Sequence, residues 1–116
     1  MVFADKRLGV DLKEKLALAK KLFAEGSYQF STTMAEDIVR LNPSNYEALN
    51  LLALIKQASG DLGAAESLFR RAIEANPESP MAKINLATIL NEGRRFDEAL
   101  VLCESAVSSQ IGRAHV

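Results

Sequence analysis

Apolar side chains recur along the chain with the spacing of amphipathic helices. The clearest example, between residues 65 and 73, has apolar residues at intervals of three and four: Ala65, Leu68, Phe69, Ala72 and Ile73. This spacing places them on one side of an α-helix. The same reasoning along the whole chain predicts six helices, near residues 12–24, 28–41, 46–58, 62–75, 80–92 and 96–109.

The helical pattern repeats after 34 residues, the interval that separates Pro43 from Pro77. Leucine recurs at the same interval, at Leu18, Leu52 and Leu86. Each proline follows an asparagine, cannot continue a helix, and disfavours the helical conformation of the residue before it. Each Asn-Pro is therefore predicted to end one unit. The predicted divisions are a lead or linker at 1–11, units at 12–45, 46–79 and 80–113, and a tail at 114–116.

Short polar segments between the helices contain turn and capping residues. Gly60 is able to take the left-handed conformation that closes a helix, and Asp61 can cap the helix that follows. Ser79 is expected to cap the fifth helix, ahead of a proline at its first position. Asp11 and Glu14 have the spacing of a capping box, which predicts the start of the first helix. These signals agree with the boundaries inferred from the apolar spacing.

Two helices per 34 residues, with a small residue where the two helices cross, resemble the tetratricopeptide repeat. In the middle unit the matching residues are Leu49, Leu52, Ala53, Ala65, Phe69, Ala72 and Pro77. Lys15 and Lys83 depart from the pattern because a large apolar residue is usual there, and we expect their stems to lie along apolar surface. The alternative is another α-solenoid, such as a Sel1-like or an RNA-reading helical repeat. The unit length and the Asn-Pro endings favour the tetratricopeptide repeat.

The resemblance implies an all-α fold, a right-handed α-solenoid of three antiparallel helix pairs. Neighbouring pairs bury together the apolar surface that one pair cannot bury alone. It also implies that the first helix of each pair lines a concave wall, suited to an extended peptide or a partner helix. The residues expected to form this peptide-binding groove are Lys13, Leu16, Lys20, Phe23, Asn50, Leu54, Gln57, Met81, Asn85 and Thr88. The alternative for its apolar members is ordinary packing between helices.

Two groove chemistries of the family can be compared with these positions. Chaperone-binding members hold a terminal Asp or Glu in a clamp of lysine, arginine and asparagine. Only Lys20 and Asn85 lie near such places here, so we do not predict chaperone-tail binding. Members attached to protein glycosyltransferases carry an asparagine before the Leu-Gly or Leu-Ala pair of each unit. Asn85 matches that pattern, whereas Ala17 and Leu51 do not.

Charge is balanced overall but uneven along the chain. The net charge of -1 argues against a general nucleic-acid binder, which usually has a large positive excess. Lys13, Lys20 and Lys21 lie in a basic first stretch, and they are expected either to attract an acidic partner segment or simply to solvate the first helix. The most apolar run, residues 48–55, is too short to span a bilayer, so no membrane contact is predicted.

Candidate catalytic and metal-binding groups are few. Cys103 aligns with Phe69 and Ala35 of the other units, so we expect an inert, buried thiol. The single histidine, His115, lies in the tail. The sequence has no cysteine and histidine cluster with metal-ligand spacing and no glycine-rich phosphate loop. We therefore predict no cofactor, no metal and no enzymatic activity, and the single cysteine fits a reducing compartment such as the cytoplasm.

The end of the third unit lacks the features of a capped array. Ile111 stands where the other units have proline, and repeat arrays normally finish with a helix whose outer face is polar. Leu100, Val107 and Ile111 are therefore expected to expose apolar surface. One of three outcomes is predicted: the array continues in a longer protein, the chain forms a homo-oligomer through this end, or the helix near residue 110 rearranges to cover it.

These patterns favour a non-catalytic scaffold that binds a protein or peptide in its concave groove. A second hypothesis is a substrate-recognition segment of a larger enzyme, such as a protein glycosyltransferase, which further repeats or a catalytic domain in the full gene product would distinguish. A third is a self-association module, which a concentration-dependent mass would distinguish.

Overall fold

The computed structural model describes the backbone of residues 4–5 and 10–114 and the side chains of residues 11–108. Over these residues the chain forms six helices: α1 (Leu12–Ala24), α2 (Tyr28–Leu41), α3 (Tyr46–Ala58), α4 (Leu62–Ala75), α5 (Pro80–Glu92) and α6 (Phe96–Ala114). The first five helices begin and end where the apolar spacing predicts. The sixth continues beyond its predicted end at residue 109.

Two very short strands precede the helices. β1 (Ala4–Asp5) pairs with β2 (Val10–Asp11) in antiparallel orientation, with Ala4 opposite Asp11. The sequence predicts only a lead or linker here, because two residues are too few for a strand pattern. The pairing gives backbone groups of the lead hydrogen-bond partners before the chain enters α1.

The helices pack in chain order as three antiparallel pairs, α1 with α2, α3 with α4, and α5 with α6. Between pairs, α3 packs on α2 and α5 packs on α4. Each pair therefore covers the apolar surface of its neighbour, as in an α-solenoid. The largest fully buried apolar side chains are Phe69, Ile38, Leu49, Leu86 and Leu90.

The three aligned leucines differ in burial. Leu52 and Leu86 lie in the core, whereas Leu18 is 42% exposed. Leu52 belongs to the same buried cluster as Ala19 and Ala35 of the pair before it. Among the described residues no helix pair precedes α1, so the surface around Leu18 has no equivalent cover.

The Asn-Pro turns between pairs share one hydrogen-bond pattern. Oδ1 of Asn42 accepts a hydrogen bond from the backbone N–H of Ser44, and Oδ1 of Asn76 accepts one from Glu78, both at 3.3 Å. The asparagine side chain thus bonds the backbone two residues on, at the point where the helix has ended. This explains why asparagine precedes each of the two prolines.

The third pair lacks that turn, and α6 is correspondingly longer. It has 19 residues, against 14 in each of α2 and α4. Gln110 and Ile111 replace asparagine and proline, so no residue there removes a backbone donor. A rearrangement near residue 110 is one of the three predicted outcomes; the backbone there continues as a regular helix to Ala114.

Within each pair, one residue of the connecting turn has a left-handed backbone. The φ angles are 83° at Gly26, 88° at Gly60 and 62° at Arg94, three positions 34 residues apart. Each turn closes with a hydrogen bond from the next residue, as from Ser27 N–H to the carbonyl of Leu22 at 2.8 Å. Glycine adopts this conformation without a steric penalty, whereas arginine does not.

Replacing Arg94 with glycine should therefore stabilise the protein. The strain removed is about 1–2 kcal/mol, and the greater freedom of glycine in the unfolded chain reduces the gain to about 0.5–1 kcal/mol. Urea unfolding measures this change. The matched change Gly60→Ala should cost about 1 kcal/mol through the backbone alone, because a Cβ at Gly60 would meet no atom within 4 Å. A lower free energy of unfolding for Arg94→Gly would contradict this reading.

Side-chain caps begin α1, α3 and α4, and the caps of α1 and α4 were predicted from the sequence. Asp11 accepts a hydrogen bond from the N–H of Glu14 at 2.8 Å, and Asp61 accepts one from Ala64 at 3.2 Å. Ser79 occupies the capping position of α5 but makes no such bond, so the predicted side-chain cap is wrong there. The proline that follows, at the first helical position, has no N–H, so this helix start has one unpaired backbone donor fewer.

Two lysines are buried between the helices of their pairs. Nζ of Lys15 lies 3.3 Å from Oδ2 of Asp37, and Nζ of Lys83 donates to the hydroxyl of Ser105 at 2.9 Å. The corresponding position in the middle pair is Leu49, which is also buried. Their stems were expected along apolar surface, but their ammonium groups also lie inside the array, against the partner helix.

The surroundings of Asp37 change the pKa of its carboxyl group. Burial by itself would raise the pKa of Asp37, but hydrogen bonds from Arg40 and Lys15 outweigh burial and lower it. Asp37 therefore stabilises the fold above its ordinary pKa of 3.8, and that contribution is lost as the pH falls through the lower folded value.

An ion-pair network joins the second and third pairs. Glu66 on α4 binds Arg70 and Arg95, each at 2.8 Å, and Arg95 also binds Glu98 at 2.9 Å. Because Arg95 lies in the turn before α6, its contact with Glu66 crosses from one pair to the next. The network therefore supplements the apolar packing of α4 against α5 with polar contacts between the same two pairs.

Lowering the pH should reduce the free energy of unfolding, in part because Glu66 becomes protonated. Hydrogen bonds from Arg70 and Arg95 hold the pKa of Glu66 below its ordinary value of 4.5. The contribution of Glu66 to the free energy of unfolding is therefore present above about pH 4.5 and is lost as the pH falls through the folded pKa. Because these ion pairs are largely exposed, that contribution is below about 1 kcal/mol. Urea unfolding at about pH 7 and about pH 3 should show a smaller acid-induced loss for Glu66→Gln than for wild type. Equal losses would contradict the assignment.

Candidate functional site

A groove lies between α1, α3 and α5, the first helices of the three pairs. Its volume is about 430 Å³, within the range of ligand-binding clefts. The lining residues are Lys20, Phe23, Tyr46, Glu47, Asn50, Leu51, Leu54, Ser79, Met81, Ala82 and Asn85. We call this site the inner groove.

Six of the ten residues predicted for a groove line it: Lys20, Phe23, Asn50, Leu54, Met81 and Asn85. Thr88 lines a separate shallow depression between α5 and α6. Leu16 is buried in a cluster with Ile38 and Ala48, and so it serves the core. Lys13 and Gln57 lie outside the lining.

Five lining residues lie outside the predicted set: Glu47 and Leu51, which share α3 with Asn50 and Leu54, and Tyr46, Ser79 and Ala82, which lie at the helix starts. Tyr46 is the first residue of α3, and Ser79 and Ala82 flank the start of α5. The capping residues show where these helices start in the sequence. The helix starts lie beside the groove because of the way successive pairs stack, and a local sequence pattern does not contain that information.

The floor of the inner groove is apolar. Phe23, Leu51, Leu54 and Met81 line it, and Met81 is 56% exposed. The ring of Phe23 is held by Tyr28 of the next helix, with ring centroids 5.3 Å apart. Methionine is unbranched and adapts its shape to different partners. The floor can therefore receive large apolar side chains of a ligand.

Two amides cross the groove between α3 and α5. Nδ2 of Asn85 donates to Oδ1 of Asn50 at 3.2 Å. An amide side chain carries two donor hydrogens and an acceptor oxygen, so one mutual bond uses only part of the capacity of the pair. The remaining groups can bond the backbone of a ligand without regard to its sequence.

One ion pair crosses from α1 to α3 at the edge of the groove. Nζ of Lys20 lies 2.5 Å from Oε2 of Glu47, and both side chains are about half exposed. Lys20 was predicted either to attract an acidic partner or to solvate its helix. Because Glu47 already neutralises it, an acidic ligand would have to displace that carboxylate. The inner groove consequently offers little net charge to a ligand.

Cys103 is exposed, so the prediction of a buried thiol is wrong. Its equivalents Phe69 and Ala35 are buried because a following pair covers them. Among the described residues no pair follows α6. For the same reason Leu100 and Val107 are exposed, as expected. The side chain of Ile111, also expected there, lies outside the described residues.

The described part of the chain holds no group of three or more His, Cys, Asp and Glu that could bind a metal ion. His115 lies outside the described residues. None of the helices in the described part has both the length and the apolar character required to cross a bilayer.

Comparison with known proteins gives one family match. A family model described as a tetratricopeptide repeat matches residues 55–114. The protein y4yS of Sinorhizobium fredii, itself described as uncharacterized, is 34% identical over 71 residues, which cover 61% of this chain and 39% of y4yS. The chain thus spans less than half the length of that relative.

Several solved structures share the arrangement of helices. MamA superposes with a TM-score of 0.83 at 17% identity, over 90% of this chain and 61% of that one. An O-GlcNAc transferase mutant from Thermobaculum terrenum gives 0.79 at 26% identity, over 84% of this chain and 19% of the transferase. The Yersinia enterocolitica secretion chaperone SycD, in complex with a peptide of the translocator YopD, gives 0.78 at 17% identity, over 84% and 75%. The fold is therefore that of a helical-repeat solenoid.

Proposed function

Since the chain belongs to the tetratricopeptide repeat family, we propose that it is a non-catalytic scaffold that binds a segment of another protein in its inner groove. The ligand is a peptide or helix that inserts at least one large apolar side chain. Its backbone bonds the amides of Asn50 and Asn85.

The observation that carries the proposal is the open apolar floor of the inner groove. Met81 exposes more than half of its side chain there, and Phe23 and Leu54 are only partly buried. A soluble protein gains by covering such surface, at about 25 cal/mol per Å² of apolar area. A bound apolar side chain would supply that cover.

The amide pair and the neutralised edge favour a ligand of low charge. Asn50 and Asn85 offer hydrogen bonds without charge, and the Lys20–Glu47 pair offsets its own charges. Selectivity would then come from the shape and spacing of apolar side chains. SycD, a protein of the same fold, has been solved with a peptide, which supports a peptide as the ligand class.

A displayed library of random peptides, selected against the protein, tests the proposal. Selected peptides should be enriched in Leu, Ile, Phe and Met and low in net charge. Their affinities can be measured by fluorescence polarisation. A library that yields no binder, or binders rich in acidic residues, would contradict it.

Two matched variants locate the binding surface. Met81→Asp places a charge on the groove floor and should weaken the selected peptides at least about tenfold. Leu62→Asp makes a similar change at a residue that is 41% exposed and lies outside the groove lining, and it should leave affinity unchanged. Both substitutions fall in the first turn of a helix, where an acidic residue is favourable, so both should fold. Equal affinities of the two variants would exclude the inner groove.

A substrate-recognition segment of a larger enzyme is the second candidate. The 26% identity to the O-GlcNAc transferase supports it, although the match covers only 19% of that chain. Of the asparagines expected in such a segment, Asn85 is present and lines the groove. Sequencing the full gene product distinguishes the two, since only this candidate requires a catalytic domain. A cytoplasmic location also stays a prediction, based on the single cysteine.

A further inference from the structure

We propose that the exposed outer surface of the third pair associates with the same surface of a second copy, giving a two-fold symmetric dimer. This C-terminal face consists of Ile84 on α5 and Leu100, Cys103 and Val107 on α6. All four side chains are exposed. The proposal is independent of ligand binding in the inner groove.

The equivalent surface of the inner pairs is covered by the following pair. Phe69, the equivalent of Cys103, is fully buried in a cluster that contains Leu86 of the next pair. Ile73, the equivalent of Val107, packs against the same cluster. Val107 is instead 53% exposed. The C-terminal face therefore keeps the apolar character of an inter-pair contact without its cover.

The opposite end of the array differs in chemistry. Glu14 stands where the inner pairs have Ala48 and Ala82, both buried. Lys21 stands where they have Ile55 and Ile89, also buried. Glu14 and Lys21 are exposed on α1. This N-terminal face thus has charged groups at positions where a stacked pair requires apolar ones.

This asymmetry decides how two copies can meet. A head-to-tail stack would bury Glu14 and Lys21 against the C-terminal face, and burying unpaired charges is costly. Two C-terminal faces bring apolar side chains and a thiol into the contact, and the polar groups beside them, Thr88 and Asn91, carry no charge. Glu104, which borders Cys103 and Val107, is exposed and able to reach solvent at the rim. A closed, isologous dimer is therefore favoured over an open chain of copies.

The size of the face is near the lower limit for such a contact. With 13 residues in α5 and 19 in α6, the two helices are about 20 Å and 28 Å long, and each is about 10 Å wide. The projected area is then about 480 Å², and the accessible area is larger because the surface is ridged. Stable dimers bury about 800 Å² on each partner, with a lower range near 600 Å².

Sedimentation equilibrium over a range of concentrations tests the dimer. Wild type should pass from monomer to dimer and no further. Val107→Asp should raise the dissociation constant at least about tenfold. Val101→Asp is the matched control, because Val101 lies on the same helix, is 64% exposed and is outside the C-terminal face; it should dimerise like wild type.

Two further measurements distinguish the geometry. Leu18→Asp alters the N-terminal face, so it should leave a face-to-face dimer intact but would disrupt a head-to-tail stack. The rate of maleimide reaction with Cys103 should fall as the protein concentration rises through the dissociation constant. A wild-type protein that is monomeric at every concentration, a mass that grows beyond the dimer, or loss of association in Leu18→Asp would overturn the proposal.

Discussion

Replacing Phe69 with alanine is expected to lower the free energy of unfolding by about 3–5 kcal/mol. Phe69 is completely buried and belongs to a cluster drawn from α3, α4, α5 and α6. Its removal leaves a cavity where the second and third pairs meet. Proteins of this size are stable by about 6–17 kcal/mol, so the loss is a large share of the total.

Urea unfolding of Phe69→Ala measures this loss, and Phe30→Ala is the matched control. Phe30 lies on α2 and is 67% exposed, so the same chemical change should cost less than about 0.5 kcal/mol. In a repeat array, stability depends on the contact between neighbouring units. Hydrogen exchange in Phe69→Ala should therefore rise first in α5 and α6. Similar losses in the two variants would show that Phe69 does not hold the pairs together.

Replacing Lys83 with leucine is expected to raise the free energy of unfolding by about 1–3 kcal/mol. Lys83 is only 6% exposed, and the group it bonds on α6 is the neutral hydroxyl of Ser105. An ammonium group at such a site loses much of its hydration. The middle pair has Leu49 at the same position, buried, which shows that a leucine side chain fits between the two helices of a pair.

Thermal and urea unfolding of Lys83→Leu test this expectation. Lys15→Leu should raise the free energy of unfolding by less, because the substitution would remove the ion pair between Lys15 and Asp37. Lys13→Leu is the control on exposed surface and should change stability by no more than about 0.5 kcal/mol. A destabilised Lys83→Leu would mean that the hydrogen bond to Ser105 outweighs the cost of burying the charge.

The repeat and its boundaries could be predicted because their signals are local. A turn such as the one at Gly60 needs a left-handed backbone, and the helix after it needs a cap such as Asp61. Both requirements concern residues a few positions apart, so the sequence reports them directly. Arg94 shows the limit of this reasoning: its turn is built like the others, but the sequence has no glycine there.

The inner groove was predicted in part, for a related reason. Phe23, Leu54, Met81 and Asn85 were found because residues on one side of a helix share a periodicity. The direction in which that side faces came from the resemblance to a known family. The neutralisation of Lys20 by Glu47 was not predicted, since the two residues are 27 positions apart and meet only when α1 and α3 pack.

The sequence by itself determined the six helices, their turns and the order in which the pairs follow one another. Only the tertiary structure decided which apolar side chains are covered. Leu18 and Cys103 have the same pattern as buried residues elsewhere, and both are exposed. Periodicity specifies a side of a helix, but burial requires a neighbour on that side, and within the described residues the two ends of the array have none.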